Sequence, residues 1–247
     1  MQNELAAICK KLKLGDLTKL AAQVNFENET QYLTDVLRLA LKHREDKRIE
    51  RLIRQAKFPV VKTFDGYKYD PITWPPGFDK DQLLSLDFIE KKQNIICLGA
   101  VGTGKTYLAI ALGVKACSQG KKVRFYRALD LATELAEKHR NGNLSKALQQ
   151  LQKLDLLILD ELGYIPFEKT SSQLLFHVIS NSYQQQSVII TSNLEFGRWN
   201  EIFQDDRLTA ALIDRLVHHA YILGFSGPSF RYREAMLARS AGPSQTD

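Results

Sequence analysis

Gly99-Ala100-Val101-Gly102-Thr103-Gly104-Lys105-Thr106 reads G-x-x-x-x-G-K-T, the phosphate-binding loop motif known as Walker A. The stretch before it, Asn94 to Leu98, is apolar and of strand length. The stretch after it, Tyr107 to Ala116, is apolar at helical spacing. Strand, glycine turn and helix is the context in which the motif works. Glycines let consecutive backbone N–H groups converge on a polyphosphate with no Cβ in the way. The following helix turns its positive dipole end toward the same anion. Lys105 adds a point charge near the β- and γ-phosphates, and Thr106 offers a hydroxyl to Mg²⁺. Gly99 through Tyr107 are therefore the candidate nucleotide-binding residues.

A second apolar run, Leu156-Leu157-Ile158-Leu159, ends in Asp160-Glu161. A parallel strand buried on both faces reads as a continuous apolar run. Carboxylates at its C-terminal tip lie where open α/β sheets bind ligands. This is a Walker B strand. Asp160 is expected to hold Mg²⁺ through water or Thr106. Glu161 is placed to orient an attacking water. Ser187 to Asn193 is another buried strand with a polar tip. Val123 to Tyr126 and Ala220 to Phe225 read as further strands, alternating with helices that include Asp130 to Arg140, with Asp130 as cap, and Leu144 to Leu154. The fold class is α/β, a doubly wound parallel sheet.

The 247 residues suffice for one sizeable core and an appendage. No apolar run approaches the length of a membrane span, and Met1-Gln2-Asn3-Glu4 does not open a signal peptide. Cys9, Cys97 and Cys117 are few, odd in number and without C-x-x-C spacing, which argues against a disulfide scaffold or a zinc site. A cytoplasmic protein is expected. Net charge is +6, and residues 1–74 carry 14 Lys and Arg against 10 Asp and Glu. The excess is concentrated at the N-terminal end.

Glu4 to Leu14 and Leu17 to Val24 read as helices. Thr30 is the expected cap of a long helix ending near Lys57, before Phe58-Pro59. Its first half sets Leu33, Val36, Leu37, Ala40 and Leu41 on one face. Its second half is basic: Lys42, Arg44, Lys47, Arg48, Arg51, Arg54. Arg44, Arg48 and Arg51 share a face at spacings of four and three. They are candidate duplex-DNA contacts, set against the alternative of a solvated helix surface. No base-reading motif is present, so the expected DNA binding is nonspecific in sequence. Thr63 to Gly77 is rich in turn chemistry, and Asp79 to Lys92 reads as one short helix. The expected organisation is an N-terminal helical domain over 1–62, a linker over 63–78, an ATPase domain over 79–240 and a disordered tail over 241–247.

The order Walker A, Walker B, strand ending in Asn193, then an arginine-bearing helix resembles the AAA+ ATPases. In that superfamily the asparagine is sensor 1, which touches the γ-phosphate or the attacking water. The extra helix after the second strand resembles the insertion of the initiator and helicase-loader clade. Ile89-Glu90-Lys91-Lys92-Gln93-Asn94, the Walker A block, Leu159 to Tyr164, Thr191 to Leu194, Leu212 to Leu216 and Ser229-Phe230-Arg231 together resemble the IstB family, ATP-binding helpers of insertion-sequence transposases. Lys42-His43-Arg44-Glu45 fits the same family.

The resemblance implies ATP and Mg²⁺ as cofactors. It further implies hydrolysis completed between protomers of a homo-oligomer, with duplex DNA and a transposase as partners. Arg215 stands where the family places its trans-acting arginine, and Arg207 is the alternative. Arg231 would stand in for sensor 2, since little or no C-terminal lid follows the sheet. Part of the motif set is shared with the DnaC helicase loader, so loading of a replicative helicase is the alternative function. A small-molecule kinase is disfavoured, because Asp160-Glu161 with Asn193 suits water activation better than binding of an acceptor.

Overall fold

The computed structural model describes residues 7, 9–10, 13–14, 16–26, 28–230 and 232. The helix expected over Glu4 to Leu14 falls largely outside them, as do Arg231 and the tail over 241–247. The chain forms two compact units, Met1–Arg51 and Leu52–Asp247.

The first unit holds α1 (Leu17–Ala21) and most of α2 (Glu29–Ala56). The cap of α2 is Asn28, not Thr30: Asn28 Oδ1 accepts the Gln31 N–H at 2.9 Å. Asparagine is a strong cap, and Glu29 beside it suits the positive end of the helix dipole. Val36 is buried, but Leu33, Leu37 and Leu41 are 59, 47 and 69% exposed. The expected apolar face is thus only partly covered. Within the basic half, Lys47 bonds Asp16 at 2.5 Å and Arg48 lies 3.6 Å from Glu45. Lys47, and His43 beside it, hold the Asp16 carboxyl below its ordinary value.

In the second unit β1 (Ile72–Thr73), β2 (Asn94–Gly99), β3 (Val123–Arg127), β4 (Leu156–Leu162), β5 (Ser187–Ser192) and β6 (Ala220–Phe225) form one sheet in the order β1-β6-β2-β5-β4-β3. All pairs are parallel except β1 with β6. β3, β4 and β5 lie to one side of β2 and β6 to the other. The loop after β2 therefore opens where the winding reverses, the position at which such sheets bind ligands.

Alternation along the strands explains the continuous apolar runs. Ile95, Cys97, Leu156, Ile158 and Ile189 point to one face, packed with Leu108, Leu112 and Ala116 of α5 (Lys105–Ser118) and with Leu52 and Ala56. Ile96, Leu157, Leu159, Val188 and Ile190 point to the other. That face is covered by α6 (Ala128–Arg140), α8 (Lys169–Ser182), α9 (Asn200–Phe203) and α10 (Asp206–His218), through Leu131, Leu135, Leu175, Val178, Phe203 and Leu212. Side chains two apart share a face, so a strand covered on both sides is apolar along its length except where a buried polar side chain has a partner, as Asn94 and Thr191 do.

Three local expectations change. Asp130 does not cap α6; the helix starts at Ala128 and Asp130 sits in its first turn. Asp79 to Lys92 is two helices, α3 (Lys80–Ser85) and α4 (Asp87–Glu90), divided by Leu86 at φ 65°. Asp79 and Gln82 form a reciprocal capping box at the start of α3. The stretch 63–78, expected as a linker, contributes β1 and packs Phe64, Tyr67, Tyr69, Trp74 and Phe78 on the core. Phe78 stacks on Tyr221 of β6 with ring centroids 3.7 Å apart. The extra helix after β3 is present as α7 (Leu144–Leu151). No helix among the described residues is long and apolar enough to cross a membrane.

Candidate nucleotide site

β2 delivers the loop and α5 carries it away. Gly104, at φ 98°, caps α5 with no side-chain hydrogen bond, and no acidic residue occupies the first turn. The N-terminal end of a helix of 14 residues, with no carboxylate in its first turn, suits an anion. The Lys105 ammonium is drawn into the loop, donating to the carbonyls of Gly99 at 2.6 Å and Ala100 at 2.7 Å. The side chain is mostly buried, so its charge is placed before any phosphate arrives. Thr103 closes the turn by donating to the Ala100 carbonyl.

The outer side of the loop is held by segments remote in sequence. The Phe230 N–H donates to the Gly102 carbonyl at 2.9 Å. Gly102 has φ 82°, and a Cβ there would overlap Ser229. Tyr67 donates to the Gly104 carbonyl at 3.4 Å and its ring lies 5.1 Å from that of Tyr107. Burial pushes the Tyr67 phenol above its ordinary pKa, so it stays protonated and can donate. Below the loop, burial pushes the Cys97 thiol up to about 12, against the opposing pull of Lys105. The Cys97 thiol therefore stays protonated.

At the tip of β4, Asp160 is 2% exposed. Its Oδ1 accepts from Thr106 Oγ1 at 2.8 Å and from Thr191 Oγ1 at 2.6 Å. Glu161 follows at φ 59°, a left-handed backbone in mid-strand. The β4–β5 register runs Leu159 with Ile190 and then Leu162 with Ser192, so Asp160 and Glu161 together oppose Thr191 alone. This is a β-bulge, and bulges re-aim side chains next to functional sites. In an unbroken strand two successive carboxylates would point to opposite faces. Here both Glu161 and Thr106 line one cleft with Lys105, Tyr164, Thr191 and Asn193. The Glu161 carboxylate also lies 3.7 Å from the Arg127 guanidinium at the end of β3.

Thr106 and Asp160 fit a Mg²⁺ ion. Among the described residues no group of three or more His, Cys, Asp or Glu could hold a metal alone. The fit rests on one hydroxyl and one carboxylate, since Mg²⁺ takes one or two protein oxygens and completes its shell with phosphates and waters. Arg207 and Arg215 do not line this cleft. Arg207 and Arg215 are exposed on α10, and Arg215 sits over the Phe176 ring at 5.7 Å. Arg44 and Arg51 are exposed on α2, with Lys42, Lys47, Arg48 and Arg54. Sequence reasoning did not find Thr191, Arg127, Tyr67 or Ser229 as site neighbours.

A family model, IstB-like ATP binding protein, matches residues 7–238. The chain belongs to the family of IstB-like ATP-binding proteins. It is 38% identical over 211 residues to the candidate ATP-binding protein of insertion sequence IS5376 from Geobacillus stearothermophilus, covering 84% of this chain and 83% of that one. It is 35% identical over 246 residues to the candidate ATP-binding protein of insertion sequence IS21 from Pseudomonas aeruginosa, covering 96% and 91%. Among solved structures, the DnaC helicase loader matches with TM-score 0.53 at 18% identity, over 66% of this chain and 96% of that chain. The replication initiator DnaA bound to AMPPCP and single-stranded DNA matches with TM-score 0.51 at 20% identity, over 67% and 52%. At such identities the likeness concerns the fold alone.

Proposed function

We propose that the protein is an ATPase that assembles on duplex DNA and activates or targets a partner transposase. The observation that carries the ATPase reading is the convergence of the wound P-loop, the Thr106–Asp160 pair and the re-aimed Glu161 on one edge of the sheet. Bound Mg²⁺ would neutralise charge developing on the transferred phosphoryl group. Lys105 and the loop amides hold the phosphates. Thr106 and Asp160 hold the ion. Glu161 orients a water and accepts its proton, with Asn193 at the same cleft. None of the described residues lining the cleft is an arginine. In this reading a neighbour's arginine completes the charge stabilisation, with Arg215 favoured over Arg207. The insertion-sequence relatives, matched over most of their length, support transposition over helicase loading.

Sizing by light scattering tests this reading with ATP, with duplex DNA of arbitrary sequence, and with both. Assembly that needs both ligands is expected. A monomer under all conditions overturns the shared-site reading. A stable complex with a hexameric helicase, and none with the transposase from the neighbouring reading frame, replaces transposition with loading.

A further inference from the structure

We propose that Thr191 is a positioning residue for hydrolysis, its hydroxyl setting the relative placement of Asp160 and Glu161. The inference rests on the reading of Glu161 as the water-orienting base. The bulge at Asp160 and Glu161 removes Glu161 from the regular ladder with β5. Thr191 Oγ1 accepts the Glu161 N–H at 3.0 Å while donating to Asp160 Oδ1 at 2.6 Å. One buried hydroxyl, on a residue 1% exposed, thus reads both carboxylate residues.

The direction of the two bonds is fixed by chemistry. The Glu161 N–H can only donate, so the Thr191 oxygen accepts there and directs its own proton to Asp160 Oδ1. The contact also passes from Asp160 to Thr106, whose hydroxyl shares the same Oδ1. Thr191 lies beside Cys97 of β2 in register, so its own backbone is fixed by the central strands. Without the hydroxyl, the Glu161 backbone is free to leave its left-handed conformation. The carboxylate would then swing away from the water while the phosphate-binding loop stays intact.

Thr191→Val keeps the shape and removes the hydroxyl, Thr191→Ser keeps the hydroxyl, and Thr191→Ala is a smaller variant without one. Steady-state ATP turnover of the full chain with DNA is measured beside Mg²⁺-free ATP affinity and exchange of the Glu161 amide proton by NMR. Thr191→Val and Thr191→Ala are expected to lose about a hundredfold in kcat, as a misplaced base does. Their Mg²⁺-free ATP affinity should stay within about twofold of wild type. Thr191→Ser should recover most of the rate. The Glu161 amide should be protected in wild type and Thr191→Ser and exchange faster in the other two.

A kcat near wild type in Thr191→Val or Thr191→Ala overturns the proposal, as does equal impairment of Thr191→Ser. A rapidly exchanging Glu161 amide in the wild type overturns it even if neither hydroxyl-free variant folds. Absence of any wild-type turnover would instead count against the ATPase reading, while the amide exchange still decides the role of Thr191.

Discussion

Lys105 and Glu161 divide binding from chemistry within one cleft. Lys105 is fixed by two loop carbonyls before any ligand is present. Its removal deletes both the charge on the phosphates and the brace of the loop. Lys105→Ala is expected to abolish ATP binding, read by calorimetry. Glu161 contacts neither the loop carbonyls nor Thr106 in the hydrogen-bond network, so Glu161→Gln should bind ATP normally and turn it over at least about a hundredfold more slowly. Persistent turnover would move the base elsewhere. The left-handed backbone at Glu161 carries a cost of about 1–3 kcal/mol, which the surrounding bonds must offset. The Arg127 contact at 3.7 Å adds little to that, since both side chains are well exposed.

At the scale of elements, the P-loop is held from outside as much as from within. Gly102 has a positive φ and abuts Ser229; Gly142, at φ 70°, has open space around it. Alanine at either position strains the backbone, but only Gly102→Ala collides with a neighbour. Gly102→Ala is expected to lose ATP affinity by about tenfold or more, while Gly142→Ala loses about 1 kcal/mol of stability and no affinity. Equal ATP affinity in the two variants would show that the 226–230 segment does not shape the loop.

The basic half of α2 belongs to the same scale. Arg44 and Arg51 are exposed on one face with Arg48, and phosphate contacts release counterions. Reversing Arg44, Arg48 and Arg51 to Glu is expected to weaken binding to any duplex and to flatten the salt dependence, leaving DNA-free ATP binding unchanged. Lys47 and Arg48 already face Asp16 and Glu45, which makes Arg44 and Arg51 the stronger contributors. An unchanged salt slope would make this half of α2 a solvated face.

At the scale of the assembled molecule, one protomer offers few phosphate contacts, and several protomers on one duplex add theirs. If ATP bridges protomers through Arg215, ATP raises DNA affinity without creating a DNA contact. Arg215→Ala should keep ATP binding and lose both assembly and hydrolysis. Mixing it with Lys105→Ala should restore part of the turnover, because each variant supplies the half-site the other lacks. No rescue at any ratio would argue for a site complete within one chain. Arg215 lies over Phe176 in the single chain, so that stacking has to be exchanged for a contact across the interface.

The residues read in order, without coordinates, mark the phosphate loop, the strand runs and the α/β class. Each is a local code: glycines and lysine at fixed spacing, or apolar residues at a period that burial imposes. Strand position also marks Asp160, Glu161 and Asn193, because strand tips in such a sheet carry ligands. What stands opposite them depends on how the strands are ordered and aligned. Thr191 meets Asp160 and Glu161 because β5 lies beside β4 and a bulge shifts their register, and neither strand order nor register is written in the strands' own periodicity. The aromatic stretch 63–78 read as turns, since Gly and Pro report local backbone shape and not the core onto which Tyr67 and Phe78 pack. Leu33, Leu37 and Leu41 made a face at helical spacing, yet spacing records which residues align and not what covers them.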